Sequence, residues 1–249
     1  FVYWAINWPH YPLQGTDKWR LRYKDLPHPR DKYAAFISTT DELIGQVLDH
    51  LEKEDLLEDT IVLFQSDHGH SVEERTFGGG GSAGPYRGHK GTLFEGGIKV
   101  PSVISWPKGI PRGQVRAQFV TATDWFPTLA EWTGSDLPKG HELDGKSLAQ
   151  VVEDSRTRSP HENYYWELGR KNPQWAVRQA NWKLYARAKE SVRPNGVTEL
   201  SDADRKRFLV NLAEDPGETR NWAKEHPKEL ERLEKLAVEY QNGLARSLK

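Results

Sequence analysis

The 249-residue chain contains no cysteine and no methionine. Without cysteine there is no disulfide framework and no zinc–thiolate centre. The compartment stays open on that count, because an exported protein need not carry cysteine. No run of about 18 apolar residues occurs, so no transmembrane helix is expected. Charge of one sign is also lacking. The 35 basic and 36 acidic side chains leave a formal net charge of −1 and a pI near 6.8, which argues against a general nucleic-acid or polyanion binder. The start lacks an initiator Met, a signal peptide and a polar lead-in. Phe1-Val2-Tyr3-Trp4-Ala5-Ile6 reads instead as a buried strand, as if the chain were a piece of something longer.

Length suits one large α/β domain or a domain with a small appendage. After residues 1–6 comes Asn7-Trp8-Pro9-His10-Tyr11-Pro12, a loop that two prolines should hold extended. Residues 31–54 read as a helix with Ile37, Ile44, Leu48 and Leu51 on one face and Val47 beside them. An acidic turn leads to a strand at Ile61–Gln65. Strand, helix and strand in alternation predict a parallel, doubly wound sheet. Residues 76–88, with six glycines, read as a loop; Val100–Trp106 reads as a strand; Phe119–Trp132 leads into a helix whose start Asp124 would cap. Beyond about residue 160 the pattern changes. Asn163–Leu168, Trp175–Arg178 and Lys183–Arg187 read as short antiparallel strands, residues 187–205 as an exposed loop or hairpin, and Glu225–Leu248 as a long helix. The expected division is residues 1–159 for the α/β part and 160–249 for a smaller α+β subdomain.

The chemistry concentrates in two stretches. Ile61-Val62-Leu63-Phe64-Gln65-Ser66-Asp67-His68-Gly69 carries an apolar strand into a carboxylate and an imidazole. Ligands of open α/β sheets bind beyond the carboxyl ends of strands, so Asp67 and His68 could hold a divalent cation. They could equally be a turn-capping Asp beside a buried His. Lys90, set between two glycines, could bind an anionic oxygen as a compact point charge, or could be an exposed loop lysine. His10 could donate a proton to a leaving group, or simply bond backbone in its turn.

Taken together and in order, these segments resemble the sulfatase family of the alkaline-phosphatase-like superfamily. The resemblance is carried by Asn7–Leu13, Tyr33–Leu48, Leu63–Gly69, Arg87-Gly88-His89-Lys90-Gly91-Thr92-Leu93-Phe94-Glu95-Gly96-Gly97 through Pro101, Asp124–Leu129, Asp144–Leu148 and Asn211–Glu218. It covers nearly the whole chain. It implies an alkaline-phosphatase-like doubly wound sheet plus the smaller antiparallel subdomain. It implies that Asp67 and His68 are two ligands of a calcium ion, that Lys90 holds sulfate oxygens, and that His10 contacts the sulfate or protonates the leaving alcohol. Imidazole is an unusual calcium ligand, so the metal identity stays open. Glu95 and Asp124 are given structural roles. His70 and His89 flank the matched positions and are expected to be solvated more than substrate-facing.

The resemblance also implies a formylglycine nucleophile, made from Cys or Ser within Cys/Ser-X-Pro-X-Arg, and a pair of N-terminal aspartates that complete the metal site. Neither occurs in this chain. The expectation is therefore a C-terminal portion of a sulfatase, carrying part of the active site and inactive alone. A sulfated small molecule or glycan is the implied partner, with no nucleic acid and no membrane span, and a periplasmic or secreted location. A phosphate or phosphonate ester hydrolase of the same superfamily, or a non-catalytic remnant or binding module, are the other readings. For a glycan, Trp8, Trp166, Trp175 and Trp182 could stack on sugar rings, and Glu167, Arg170 and Arg178 could bond polar groups, with core packing the competing use of the tryptophans. The 76–88 loop and the 162–175 segment would then shape the pocket mouth.

Overall fold

The computed structural model describes residues 1–189 and 199–247. Residues 190–198, in the middle of the polar stretch expected as a loop or hairpin, lie outside them. The first part runs through α1 (Asp17–Arg22), α2 (Arg30–Lys53), β1 (Val62–Gln65), α3 (Glu95–Ile98), β2 (Ser102–Ser105), α4 (Trp125–Thr133) and α5 (Ala149–Glu153). The second part holds β3 (Asn163–Leu168), β4 (Gln174–Gln179), β5 (Trp182–Ala186), α6 (Asp202–Lys206), β6 (Phe208–Asn211) and α7 (Pro227–Ser247).

Three expectations for the first part are corrected. Residues 1–6 form no strand, and Phe1, Val2 and Tyr3 stand almost fully exposed. A strand needs a ladder partner for its backbone groups, and none of the described strands offers one to this segment. Among the described residues no parallel pairing occurs either: β1 pairs with β2 antiparallel, Val62 opposite Ser105 and Gln65 opposite Ser102. The apolar stripe of α2 is not its buried face. Ile37 and Val47 are exposed, while Ala35, Phe36, Thr39 and Thr40 are buried. Those two threonines are tolerated inside because their hydroxyls donate back to the Ala35 and Phe36 carbonyls at 2.8 and 3.0 Å. Trp8 packs edge-on against Phe36 at 5.0 Å, which fixes the loop after residue 6 to this side of the helix.

The second part follows strand physics closely. The strands form one antiparallel sheet in the order β3-β4-β5-β6. Successive side chains point to opposite faces, and the core divides accordingly. Ala176, Tyr185, Phe208 and Val210 face Leu93 and Phe94 of the first part. Trp175, Val177, Leu184 and Leu209 face Leu233 and Ala237 of α7. In α7 the apolar positions Leu230, Leu233, Ala237 and Tyr240 recur at helical spacing and all pack on that sheet. The Lys90–Gly97 region is thus continuous with the core of the C-terminal sheet.

Candidate active site

The turn after β1 presents Asp67 and His68 side by side. Asp67 Oδ2 lies 3.1 Å from His68 Nε2, and Asp67 Oδ1 accepts the His68 backbone N–H at 2.9 Å. His68 Nδ1 is 2.8 Å from the Gly69 carbonyl oxygen. A carbonyl only accepts, so Nδ1 carries a hydrogen there. In a neutral ring that leaves Nε2 with its lone pair, the form that binds a metal. A lone pair and a carboxylate oxygen 3.1 Å apart repel unless a positive charge lies between or the ring is protonated. The Asp67 side chain is 82% exposed, so this donor pair opens outward. These two donors fit a divalent cation as part of a ligand set. Among the described residues no group of three or more His, Asp or Glu side chains could complete it.

Gly69 is required by packing. Its N–H donates to the Gly97 carbonyl at 2.9 Å, and a Cβ on it would overlap the Gly96 carbonyl oxygen. The Glu95-Gly96-Gly97 run of α3 therefore lies directly under the Asp67-His68 turn. The next turn carries Lys90. Its backbone N–H donates to the His70 carbonyl at 2.9 Å, which joins the two stretches. Thr92 closes the lysine turn by donating its hydroxyl to the His89 carbonyl and accepting the His89 N–H. Gly91, at φ +86°, supplies the left-handed residue within it.

Lys90 Nζ, on a half-buried side chain, stands 3.6 Å from Glu73 Oε2. Glu73 also accepts from Arg75 at 2.9 Å and from Ser71 at 3.2 Å. The Arg75 hydrogen bond, with help from Lys90, holds the Glu73 carboxyl below its usual value. Arg75 lies over the Tyr11 ring at 4.3 Å, and Tyr11 sits 4.1 Å from the His10 ring. The His10 loop is a turn rather than extended, closed by His10 N–H donating to the Asn7 carbonyl at 3.0 Å. His10 is exposed, with Nδ1 3.2 Å from the Tyr11 carbonyl. The structure thus links His10 to Lys90 through Tyr11, Arg75 and Glu73, and Lys90 to the Asp67-His68 turn through His70.

Several neighbours differ from the sequence reading. His89 is buried and His70 half-buried, not solvated. Burial lowers the pKa of both, and each favours the neutral ring. Glu73, Arg75 and Tyr11 were not foreseen; a Glu-Glu-Arg run five residues past His68 was their only signal. The tryptophans pack. Trp175 lies in the core, Trp166 and Trp182 lie against it, and Trp8 meets Phe36. Arg178 is half-buried, with Nε donating to the Ala180 carbonyl and its guanidinium over Phe119. Gln174, at the end of the 162–175 segment, donates to the Gly91 carbonyl at 2.9 Å, so that segment does reach the lysine turn. Asp124 is buried and closes a capping box with Thr121 in the turn before α4, so its side chain does not cap α4 itself. It accepts from Thr121 N–H at 2.7 Å and Lys146 N–H at 2.9 Å, and lies 2.8 Å from His161 Nε2.

The architecture is that of the alkaline-phosphatase-like α/β class. The solved structure described as Ps i-CgsB superposes with a TM-score of 0.78 over 94% of this chain and 48% of its own, at 24% identity. The PsFucS1 sulfatase from Pseudoalteromonas superposes with a TM-score of 0.72 at 22% identity, over 96% of this chain and 46% of its own. The sequence profile described as Sulfatase matches residues 1–135, and that described as N-sulphoglucosamine sulphohydrolase, C-terminal, matches residues 87–241. The chain belongs to the sulfatase family. A sulfatase of Formosa agariphila is 33% identical over 92% of this chain and 43% of its own length, and mouse steryl-sulfatase is 35% identical over 63% of this chain and 26% of its own. The chain spans less than half the length of these curated relatives.

Proposed function

We propose that this chain supplies one part of the active site of a sulfate-ester hydrolase that acts on a sulfated glycan. The observation that carries the reading is the bond from Lys90 N–H to the His70 carbonyl. It ties the turn that carries Lys90 to the stretch that follows the outward-facing Asp67-His68 pair. Lys90 would hold sulfate oxygens, its charge concentrated on one ammonium in a half-buried site. Asp67 and His68 would hold a divalent cation, calcium by family resemblance. When bound, such an ion supplies Lewis-acid polarisation of the sulfate. His10, exposed on its turn, would hold a proton near the leaving alcohol oxygen. The nucleophile, a formylglycine by the same resemblance, would come from outside this chain, whose sequence holds no Cys/Ser-X-Pro-X-Arg motif. The division at about residue 160 is part of this reading, and so is a periplasmic or secreted location.

The choice of a glycan rests on neighbours. One similar structure holds k-i-k-neocarrahexaose and another is described with its substrate D-glucosamine-2-N,6-O-disulfate. The test is turnover of sulfate and phosphate monoesters of one aryl alcohol by the full-length protein. Sulfate should be preferred, and Lys90→Ala should lower kcat/KM by about 10²-fold or more. A preference for phosphate, or a Lys90→Ala enzyme with near-normal turnover, would overturn the assignment.

A further inference from the structure

We propose that Lys183, Tyr185 and Glu218 of the C-terminal part meet Glu95 in a buried latch that positions the Lys90 turn and the Asp67-His68 turn above it. All four side chains are buried, Lys183 and Glu218 completely. Lys183 Nζ donates to Glu95 Oε1 at 2.8 Å and to the Leu93 carbonyl at 2.9 Å. Glu218 Oε2 accepts the Glu95 backbone N–H at 2.8 Å, and Glu218 Oε1 accepts from the Tyr185 hydroxyl. Every one of these bonds ends on α3 or on the segment just before it, or ties their partner in place. The N-terminus of α3 is thus gripped from the β5 side through both backbone and side chain.

That grip reaches the site through glycine contacts. A Cβ on Gly96 would lie 2.6 Å from the carbonyl oxygens of both Arg87 and Gly88, and one on Gly97 2.6 Å from that of His89. Gly69 lies as tightly on Gly96 and Gly97 from the other side. With no side chain to deform, a displacement of α3 passes directly into the backbone on either side of Lys90 and of His68. Interiors this close-packed transmit displacement instead of absorbing it. The latch is also costly. Four ionisable groups are withdrawn from water, and Glu218 holds a left-handed backbone at φ +55°, unfavourable for a residue with a Cβ. The turn that delivers it is built from Asp215 N–H donating to Asn211 and Glu218 N–H donating to Asp215. Such expense at a place remote from substrate fits a demand for position.

Two carboxyls share one ammonium here, and Lys183 bonds Glu95 directly. Burial outweighs Lys183 and the two donors and pushes Glu218 up to about 8. Burial also acts on Glu95, but Lys183, with Arg178 and Lys99 beyond it, holds Glu95 below its usual value. Tyr185 is raised well above its usual value by burial and by both carboxylates. The groups facing Glu218 are thus Lys183 and Tyr185 from β5 and Glu95 from α3. As pH passes about 8, Glu218 takes on a negative charge that its burial opposes, and the latch loosens.

The inference rests on the sulfate-ester reading for its activity readout, so the test has two arms in the full-length protein. In the first, kcat for an aryl sulfate is followed against pH for wild type, Glu218→Gln and Lys183→Met. Glu218→Gln keeps the neutral shape. It should retain kcat at pH 6 within about threefold and lose the fall in kcat centred near Glu218's own titration. Lys183→Met should lose at least tenfold in kcat at every pH. In the second arm, amide hydrogen exchange is read for residues 66–69 and 88–97, corrected for the intrinsic pH dependence. Protection of both segments should drop together above that titration in wild type and not in Glu218→Gln. An unchanged pH–kcat profile in Glu218→Gln, or equal protection in the two proteins, would overturn the latch. Absence of any sulfate-ester turnover in wild type would overturn the sulfatase reading alone, since the exchange arm still decides the latch.

Discussion

Lys90 Nζ faces Glu73 Oε2 at 3.6 Å, and the same carboxylate is bonded to Arg75. An anion arriving at Lys90 must compete with this carboxylate for the ammonium. Like charges repel at close range, so the Glu73 carboxylate raises the cost of seating a sulfate there.

Glu73→Gln should accordingly lower KM for a sulfate ester by a few-fold, on the order of 2- to 10-fold at low salt, with the difference shrinking as salt screens it. Because Arg75 and Lys90 hold the Glu73 carboxyl below its usual value, the effect should be constant from about pH 5 upward. Steady-state kinetics at two ionic strengths check this. A rise in KM would instead assign Glu73 to orienting Lys90.

The Asp67–His68 pair predicts metal-linked stability. Calcium should raise the melting temperature of the full-length protein, by the equivalent of about 2.7 kcal/mol at a hundredfold excess over its dissociation constant. Asp67→Ala should lose most of that increment. His68→Ala should be a further loss, because it removes the second donor of the pair, whose ring is oriented by Nδ1 donating to the Gly69 carbonyl. Calorimetric scans with calcium and with a chelator measure both, and a melting temperature indifferent to calcium would remove the metal assignment.

The Asp124–His161 pair is a matter of stability. Asp124 is fully buried and serves Thr121, Lys146 and His161 at once. Asp124→Ala strands two backbone N–H groups and an imidazole. It should cost about 3–5 kcal/mol. Denaturant titration checks the figure, and a loss below about 1 kcal/mol would show that water replaces the carboxylate.

Much of this was legible in sequence because the signals were local. The β3 bounds, Asn163–Leu168, follow from the aromatic run Tyr164-Tyr165-Trp166, and α7 from apolar residues at helical spacing. A structural role for Asp124 at the helix start could be read locally, although its side chain reaches back to Thr121 and does not cap α4. Non-local features were not legible. Residues 1–6 have strand composition, yet composition cannot supply a pairing partner. Ile37 and Val47 make the apolar stripe of α2, while the turn of α2 that this chain covers is Ala35–Thr40. The latch had one overlooked sign. In Trp182-Lys183-Leu184-Tyr185 the lysine shares the Tyr185 face of β5, a face lined by Leu93, Phe94 and Phe208. A lysine there must find a buried acid, and the acids near it come from distant parts of the chain, Glu95 and Glu218.

The same lysine sets the acid limb of stability. Against the cost of burial, Lys183 holds the folded Glu95 carboxyl below its ordinary value of 4.5. The unfolded chain therefore binds more protons than the native chain in the window just below that value. A depressed carboxyl contributes stability that is present above the unfolded pKa and lost as pH falls through the folded one. The melting temperature should fall as pH is lowered from about 5 to about 3. In Lys183→Met the ammonium is gone and burial is opposed only by the more distant Arg178 and Lys99, so Glu95 is expected to prefer its proton. The contribution of Glu95 changes sign, and stability at about pH 4 rises relative to about pH 7, although both values lie below wild type. Melting curves over that range for the two proteins measure the reversal. Parallel curves would show that Glu95 is protonated in the native state and that Lys183 is held by the Leu93 carbonyl instead.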